Sequence, residues 1–377
     1  MSTVLDTPLS AALAPAAPAR ADGPRTRIAD CDIHPAFNGV QDMLPFLSRR
    51  WAEHIQTYGI HLRRPFTGTV AYPRSAPLLA RRDAWPETGG PPGSDLAFMQ
   101  RQHLDAYDID FGVLQVLDLF AYNEQNLEFG AALATAVNDW QLARWCDPDP
   151  RLRGSIVVVQ DDAEAAVAEI ERRAGDARFV QVNLSPRASE PLGRKRYWPI
   201  YAAAQAAGLP IGVHVGGYGG NAPTGSGWPS FYAEEHHSNP HTMQAQLASL
   251  VIEGIPARFP GLRFVFIEGG FGWVPATVWR LDRHYARFRS EVPHLRRLPS
   301  AYVRDHFWFT TQPIEEPERA EDMRAVLDWV GTDRLMFASD YPHWDFDDPR
   351  HVFRIALSDD ERQAIFHDNA AAFYGFA

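Results

Sequence analysis

The chain has 377 residues, 45% of them hydrophobic, and 47 acidic against 36 basic side chains give a formal charge of -11. That composition can bury one large core, and the absence of any Lys/Arg-rich run argues against nucleic acid or an anionic membrane surface as a partner. Cys31 and Cys146 are too few for a disulfide framework and too far apart for a cysteine-based zinc site, so a reducing cytoplasm is the expected compartment.

Residues 1–25 are rich in Ala, Pro, Ser and Thr, with no basic stretch leading into an unbroken apolar one, and read as a disordered leader rather than a signal peptide. No window of about 18 uninterrupted apolar residues occurs, so no membrane span is expected. Residues 26–377 are expected to form a single domain in which short apolar strands alternate with longer amphipathic stretches, the pattern of repeated βα units on a parallel sheet. Strands are predicted near Thr26–Ile33, Phe111–Leu117, Leu152–Val159, Phe179–Val182, Pro210–Val215, Arg263–Ile267, Phe307–Phe309 and Leu335–Ala338. Eight such strands predict an α/β fold, a (β/α)8 TIM barrel with inserted lid segments.

The first strand reads R-I-A-D-C-D-I-H-P, and alternation puts Asp32 and His34 on one face with Cys31 opposite, in packing. At a barrel mouth that pair would offer oxygen and nitrogen donors to a metal; the alternative is a buried, hydrogen-bonded pair that fastens the strand end. The insertion 36–110, with its Pro/Gly-rich part Arg63–Gly93, is long enough to be functional or mobile. Tyr122–Asp147 carries the longest helical pattern, a scaffold helix.

Strand five, P-I-G-V-H-V, brings His214 to the mouth. The insertion Gly216–Asn239, dense in Gly, Tyr, Trp and His, reads as a lid or wall. Its F-Y-A-E-E-H-H run could lower Glu234 and His236, or Glu235 and His237, over the mouth, or be a solvated helix start. Strand six, F-V-F-I-E-G-G, adds Glu268 with glycines that permit close backbone approach, and strand eight, L-M-F-A-S-D-Y-P-H, adds Asp340 and His343. Ser358 opens a helix start, Ser-Asp-Asp-Glu, that closes the barrel wall. Tyr218, Trp228, Tyr232, Trp273 and Trp344 are candidates to line a pocket for the apolar part of a small-molecule substrate, or are ordinary packing.

Singly, each polar residue reads as a satisfied core or loop group. Together, carboxylates and imidazoles at four strand ends repel unless a cation or protons intervene, which predicts a metal centre.

These motifs carry a resemblance. D-C-D-I-H, H-V-G-G, Y-x-E-x-H, I-E-G-G-F-G-W with W-R-L-D beyond it, T-T-Q-P-I-E-E-P and S-D-Y-P-H-W-D-F-D-D-P resemble the amidohydrolase-related branch of the amidohydrolase superfamily over roughly residues 27–375. The resemblance implies a metal-dependent (β/α)8 barrel enzyme in which Asp32, His34, His214 and Asp340 hold a first metal. Two departures stand out: Glu268 occupies the strand-six position where the family's non-oxidative decarboxylases use a catalytic histidine, and strand four, F-V-Q-V-N, lacks the lysine that many dinuclear members carbamylate as a bridge.

With these departures the chain is similar to the family's non-heme dinuclear hydroxylases, such as α-aminoisobutyrate hydroxylase. That likeness implies O2-dependent hydroxylation of a small organic substrate at a centre of two ions per chain, Fe/Fe or Mn/Fe, with zinc the other candidate metal. Glu268 would bridge, His236, His343 and Glu234 would complete the ligands of the second ion, and Glu268, His236 and His343 would act in catalysis. The alternative is a hydrolase or non-oxidative decarboxylase of a small organic acid, amide or lactone with a single Zn or Mn. A third reading is a non-catalytic barrel subunit of a hetero-oligomer, and a homo- or hetero-oligomer is expected in general.

Overall fold

Short runs rich in β-branched and aromatic residues, bounded by polar turns, become strands because such side chains pack well on a pleated, buried surface. They are β1 (Ile28–Ile33), β2 (Ile109–Leu114), β3 (Leu152–Val157), β4 (Phe179–Leu184), β5 (Ile211–His214), β6 (Phe264–Ile267), β7 (Phe307–Thr310) and β8 (Leu335–Met336). All neighbours pair parallel in the order β1 to β8. The ring closes where Cys31 N donates to Phe337 O at 3.0 Å and His34 N to Tyr341 O at 2.8 Å. This is the expected (β/α)8 barrel, with β8 shorter than its predicted span. The computed structural model describes residues 26–60, 77–117, 124–215 and 221–376, so the leader 1–25, part of the Arg63–Gly93 segment and Tyr218 lie outside the described residues.

The helices around the ring include α1 (Arg49–Tyr58), α2 (Leu127–Gln141), α3 (Ala163–Arg173), α4 (Trp198–Ala206), α5 (Tyr232–His237), α6 (Asn239–Ile252), α7 (Val274–Phe288), α8 (Pro299–His306), α9 (Ala320–Val330) and α10 (Asn369–Tyr374). Helix α2 starts where the Asn126 side chain accepts from Phe129 N, and it buries Phe129, Leu133, Val137 and Trp140 at helical spacing. The predicted helix start at Ser358 is a capping box, with Ser358 and Glu361 each accepting the other's backbone N–H.

Ala29, Phe111, Val180, Val265 and Met336 come from five different strands and still pack together, which is possible only inside the ring. Ala370 and Phe373 of α10 join them, and burying a side chain such as Phe373 stabilises by about 1.5–3 kcal/mol. That apolar plug fills the barrel beneath the polar strand ends.

The end of β1 departs from simple alternation. Its register against β2 shifts between Asp30 and Ile33. Cys31 packs beside Ala29 in the inner cluster, whereas Ile33 joins the outer core, and Asp30 meets His103. The irregularity re-aims Asp32 and His34 together, as a bulge does.

Candidate metal centre

Four strand ends deliver the polar groups. Asp32 lies in β1 and His34 just beyond it, His214 is the last residue of β5, Glu268 follows β6, and Asp340 follows β8. All five are buried, Asp32 and Asp340 completely. Glu268 and Asp340 hold left-handed backbone, φ 57° and 61°, a conformation L-residues adopt at a cost and that collects at functional sites. Gly270 beyond Glu268, φ 60°, permits the close approach expected of that turn, since a Cβ there would stand 2.6 Å from Glu315 Oε1.

His34 Nδ1 lies 2.9 Å from the Gln115 carbonyl, which can only accept, so Nδ1 carries a proton and Nε2 faces inward. That Nε2 stands 2.8 Å from Asp340 Oδ1, 3.0 Å from Asp32 Oδ1 and 4.0 Å from Glu268 Oε2. His214 Nε2 is 3.2 Å from Asp32 Oδ1 and 3.3 Å from Glu268 Oε2. Asp32 Oδ2 is buried without a hydrogen-bond partner. Three carboxylates converging on an imidazole nitrogen in a buried pocket crowd like charges by themselves and are a good arrangement around a cation.

The potential ligand atoms of Asp32, His34, His214 and Glu268 all lie within 4.8 Å of one another, and so do those of His34, Glu268, Asp340 and His343. This donor set of oxygens with imidazole nitrogens suits manganese, iron or zinc.

The electrostatics carry the same tension. Burial pushes the Glu268 carboxyl well above the usual carboxylate range, and the charges of Asp340 and Asp32 push it further. Burial acts likewise on Asp32 and Asp340, but His34 and His214 hold the first below its ordinary value and His343 and His34 hold the second there. Burial lowers His34, yet Asp32 and Asp340 raise it overall.

Gln312 Nε2 donates to Asp340 Oδ2 at 3.1 Å, and His343 Nδ1 lies 2.5 Å from Asp340 Oδ1 with its ring stacked on His34, centroids 4.3 Å apart.

The lid residues are placed differently from the expectation that they complete a second ion's ligands. His236 Nε2 pairs with Asp345 Oδ2 at 3.1 Å, and the exposed Glu234 accepts from Ser230 N at 2.9 Å. Neither belongs to either ligand group. Of the alternatives left open in the E-E-H-H run, Glu235 is buried against Arg187 at 3.1 Å, and His237 is exposed with its ring edge-on to His241. Asp345 ties the lid to the centre by accepting from Gln312 Nε2 at 3.2 Å.

Tyr232 OH accepts from Trp344 Nε1 at 2.9 Å, and the Trp344 ring lies 5.5 Å from His236, which forms an aromatic rim. Trp228 sits under Arg187, 5.4 Å away, and Trp273 packs against Phe309. Sequence reasoning passed over Gln115, Gln312 and Asp345. The last two stand inside the T-T-Q-P and S-D-Y-P-H-W-D motifs, whereas a backbone carbonyl such as that of Gln115 leaves no mark in sequence.

An eight-stranded parallel barrel with clustered carboxylates and imidazoles at its C-terminal mouth defines a class of barrel enzymes built around the strand ends. The amidohydrolase family model matches residues 29–376, and the chain belongs to that family. It is 25% identical over 256 residues to a gamma-resorcylate decarboxylase of Polaromonas sp., covering 63% of this chain and 74% of that protein. A 2-keto-4-carboxy-3-hexenedioate hydratase of Sphingobium sp. is 25% identical over 251 residues, covering 60% and 67%. Among solved structures, the 5-carboxyvanillate decarboxylase of Sphingomonas paucimobilis superposes with a TM-score of 0.67 at 20% identity over 93% of this chain and all of that one. That of Novosphingobium aromaticivorans, complexed with manganese and 4-hydroxy-3-methoxy-5-nitrobenzoic acid, gives 0.67 at 19%, over 93% and 96%. These relatives are decarboxylases and a hydratase rather than hydroxylases, so the expected oxygenase branch finds no support among them.

Proposed function

We propose that this chain is a metal-dependent, oxygen-independent decarboxylase of a small hydroxylated aromatic acid, with one manganese held at the barrel mouth. The observation that carries the reading is the convergence of Asp32, Glu268 and Asp340 on His34 Nε2, with His214 Nε2 against Asp32 and Glu268. Decarboxylase relatives, and the manganese in one of their solved structures, support the reaction type.

A single ion suits the geometry better than the two expected from sequence. Both ligand groups use His34, and its one free nitrogen has one lone pair to give. Asp32, His34, His214 and Asp340 would hold the ion, with Glu268 beside it. When bound, it supplies Lewis acidity toward a substrate oxygen.

The remaining work falls to side chains. His343, less buried than the ligands and hydrogen-bonded to Asp340, exchanges protons with solvent and protonates the ring carbon as the C–C bond to the carboxyl group breaks and carbon dioxide leaves. In this assignment the proton donor comes from strand eight, because strand six offers Glu268 where the family's decarboxylases carry a histidine. Tyr232 and Trp344 hold the aromatic face of the substrate and exclude water.

The test is anaerobic. Manganese-loaded protein incubated with a panel of hydroxybenzoates should release carbon dioxide and the corresponding phenol without oxygen. Turnover that requires oxygen and iron would instead favour the hydroxylase reading motivated by Glu268.

A further inference from the structure

Behind the metal cluster lies a second buried polar group that the reaction does not use. Asp30, His103 and Ser339 are each 0% exposed. Asp30 Oδ1 accepts from Asp32 N at 3.1 Å and from Ser339 N at 2.9 Å. Its Oδ2 accepts from Ser339 Oγ at 2.5 Å and lies 2.7 Å from His103 Nε2. His103 is fixed in turn by stacking on Tyr341, centroids 4.6 Å and planes 11° apart, and Ser339 Oγ accepts from Tyr341 N at 3.1 Å.

We infer that Asp30, His103 and Ser339 are positioning residues that set the metal-binding geometry by locking the ends of β1 and β8 together. Asp30 supplies, from a side chain, the acceptor for Asp32 N at the irregular step of β1. Asp32 O then accepts from Asp340 N at 3.1 Å, so one carboxylate governs where both flanking ligand carboxylates stand. Ser339 immediately precedes Asp340, and its two bonds to Asp30 hold the strained backbone of Asp340, φ 61°, in place. Outer partners of this kind typically alter metal affinity 10- to 100-fold when removed.

The inference rests on the metal reading above, and its test separates the two. Manganese binding to chelator-treated protein is measured calorimetrically for wild type, Asp30→Asn, His103→Gln and Ser339→Ala, with the electron paramagnetic resonance spectrum of bound Mn(II) recorded for each. Circular dichroism selects the variants that keep the wild-type fold, and Ser339→Ala, which removes one hydroxyl, serves if Asp30→Asn does not fold. Expected are weaker binding by about 10- to 100-fold and a spectrum with altered zero-field splitting, a change that general destabilisation would not produce. Folded variants with wild-type affinity and spectrum overturn the inference alone. A wild-type protein that takes up no manganese overturns both readings.

Discussion

Glu268 and Asp340, beyond the ends of β6 and β8, share one group of potential ligand atoms and the same left-handed backbone state, φ 57° and 61°. Neither is glycine, and the chain accepts the cost at both carboxylates.

Glu268→Gly should therefore relieve strain of about 1 kcal/mol and remove a carboxyl that burial and two neighbouring charges disfavour. With both proteins stripped of metal, the expected outcome is a variant at least as stable as wild type, and with metal restored a turnover at least about 100-fold lower, a trade of function for stability. A melting temperature several degrees below wild type would contradict the account of strain.

Metal content separates one ion from two. Wild-type protein is expected to bind about one manganese per chain, and Asp32→Ala to bind almost none, because Asp32 faces both His34 and His214. Chelation should lower the melting temperature and manganese restore it, since an ion at 100 times its Kd stabilises the folded state by about 2.7 kcal/mol. Two ions per wild-type chain, by elemental analysis, would return the centre to the dinuclear reading.

The lid gives a third expectation. Glu235 of α5 forms a buried pair with Arg187, which also donates from Nε to Asn221 O at 3.1 Å. Removing one partner of a buried pair takes away that countercharge and costs up to roughly 3–5 kcal/mol. Glu235→Ala should open the lid locally, with protease cleavage between residues 221 and 238 at least tenfold faster and KM raised more than kcat is lowered. Unchanged cleavage would show that the pair does not hold the lid.

What was readable in the sequence follows from where the information lies. Each strand is a short, locally coded run, and a polar residue at its C-terminal end needs only the barrel hypothesis to be placed, which is why Asp32, His34, His214, Glu268 and Asp340 could be named before their distances were known. The lid could not be read this way: the partner of His236 is Asp345, 109 residues away, and periodicity says nothing about which of two adjacent imidazoles turns inward. Alternation placed Cys31 in packing, where it lies beside Ala29, but not Ile33, which joins the outer core beyond the register shift that follows Asp30. Reaction class was the least legible, since a single position, Glu268 where the resemblance leads one to expect histidine, separates the hydroxylase reading from the decarboxylase one.

The pH dependence of stability offers the last test, best made on chelated protein. Burial raises the Asp347 carboxyl to about 7, helped by the charges of Asp345 and Asp340 and opposed by the N–H of Ile314, 3.1 Å from Oδ2. In the unfolded chain the same group ionises near its ordinary value of 3.8. Between those values the unfolded state has released a proton that the folded state keeps, so stability falls as pH rises from about 4 to about 7 and levels off above. Asp347→Asn preserves an acceptor for Ile314 N and cannot ionise. Near pH 4 the variant and wild type should unfold at similar denaturant concentrations, whereas at pH 8 the variant should be more stable by on the order of 1 kcal/mol or more. Parallel stability profiles for the two proteins across that window would show that Asp347 ionises as easily folded as unfolded.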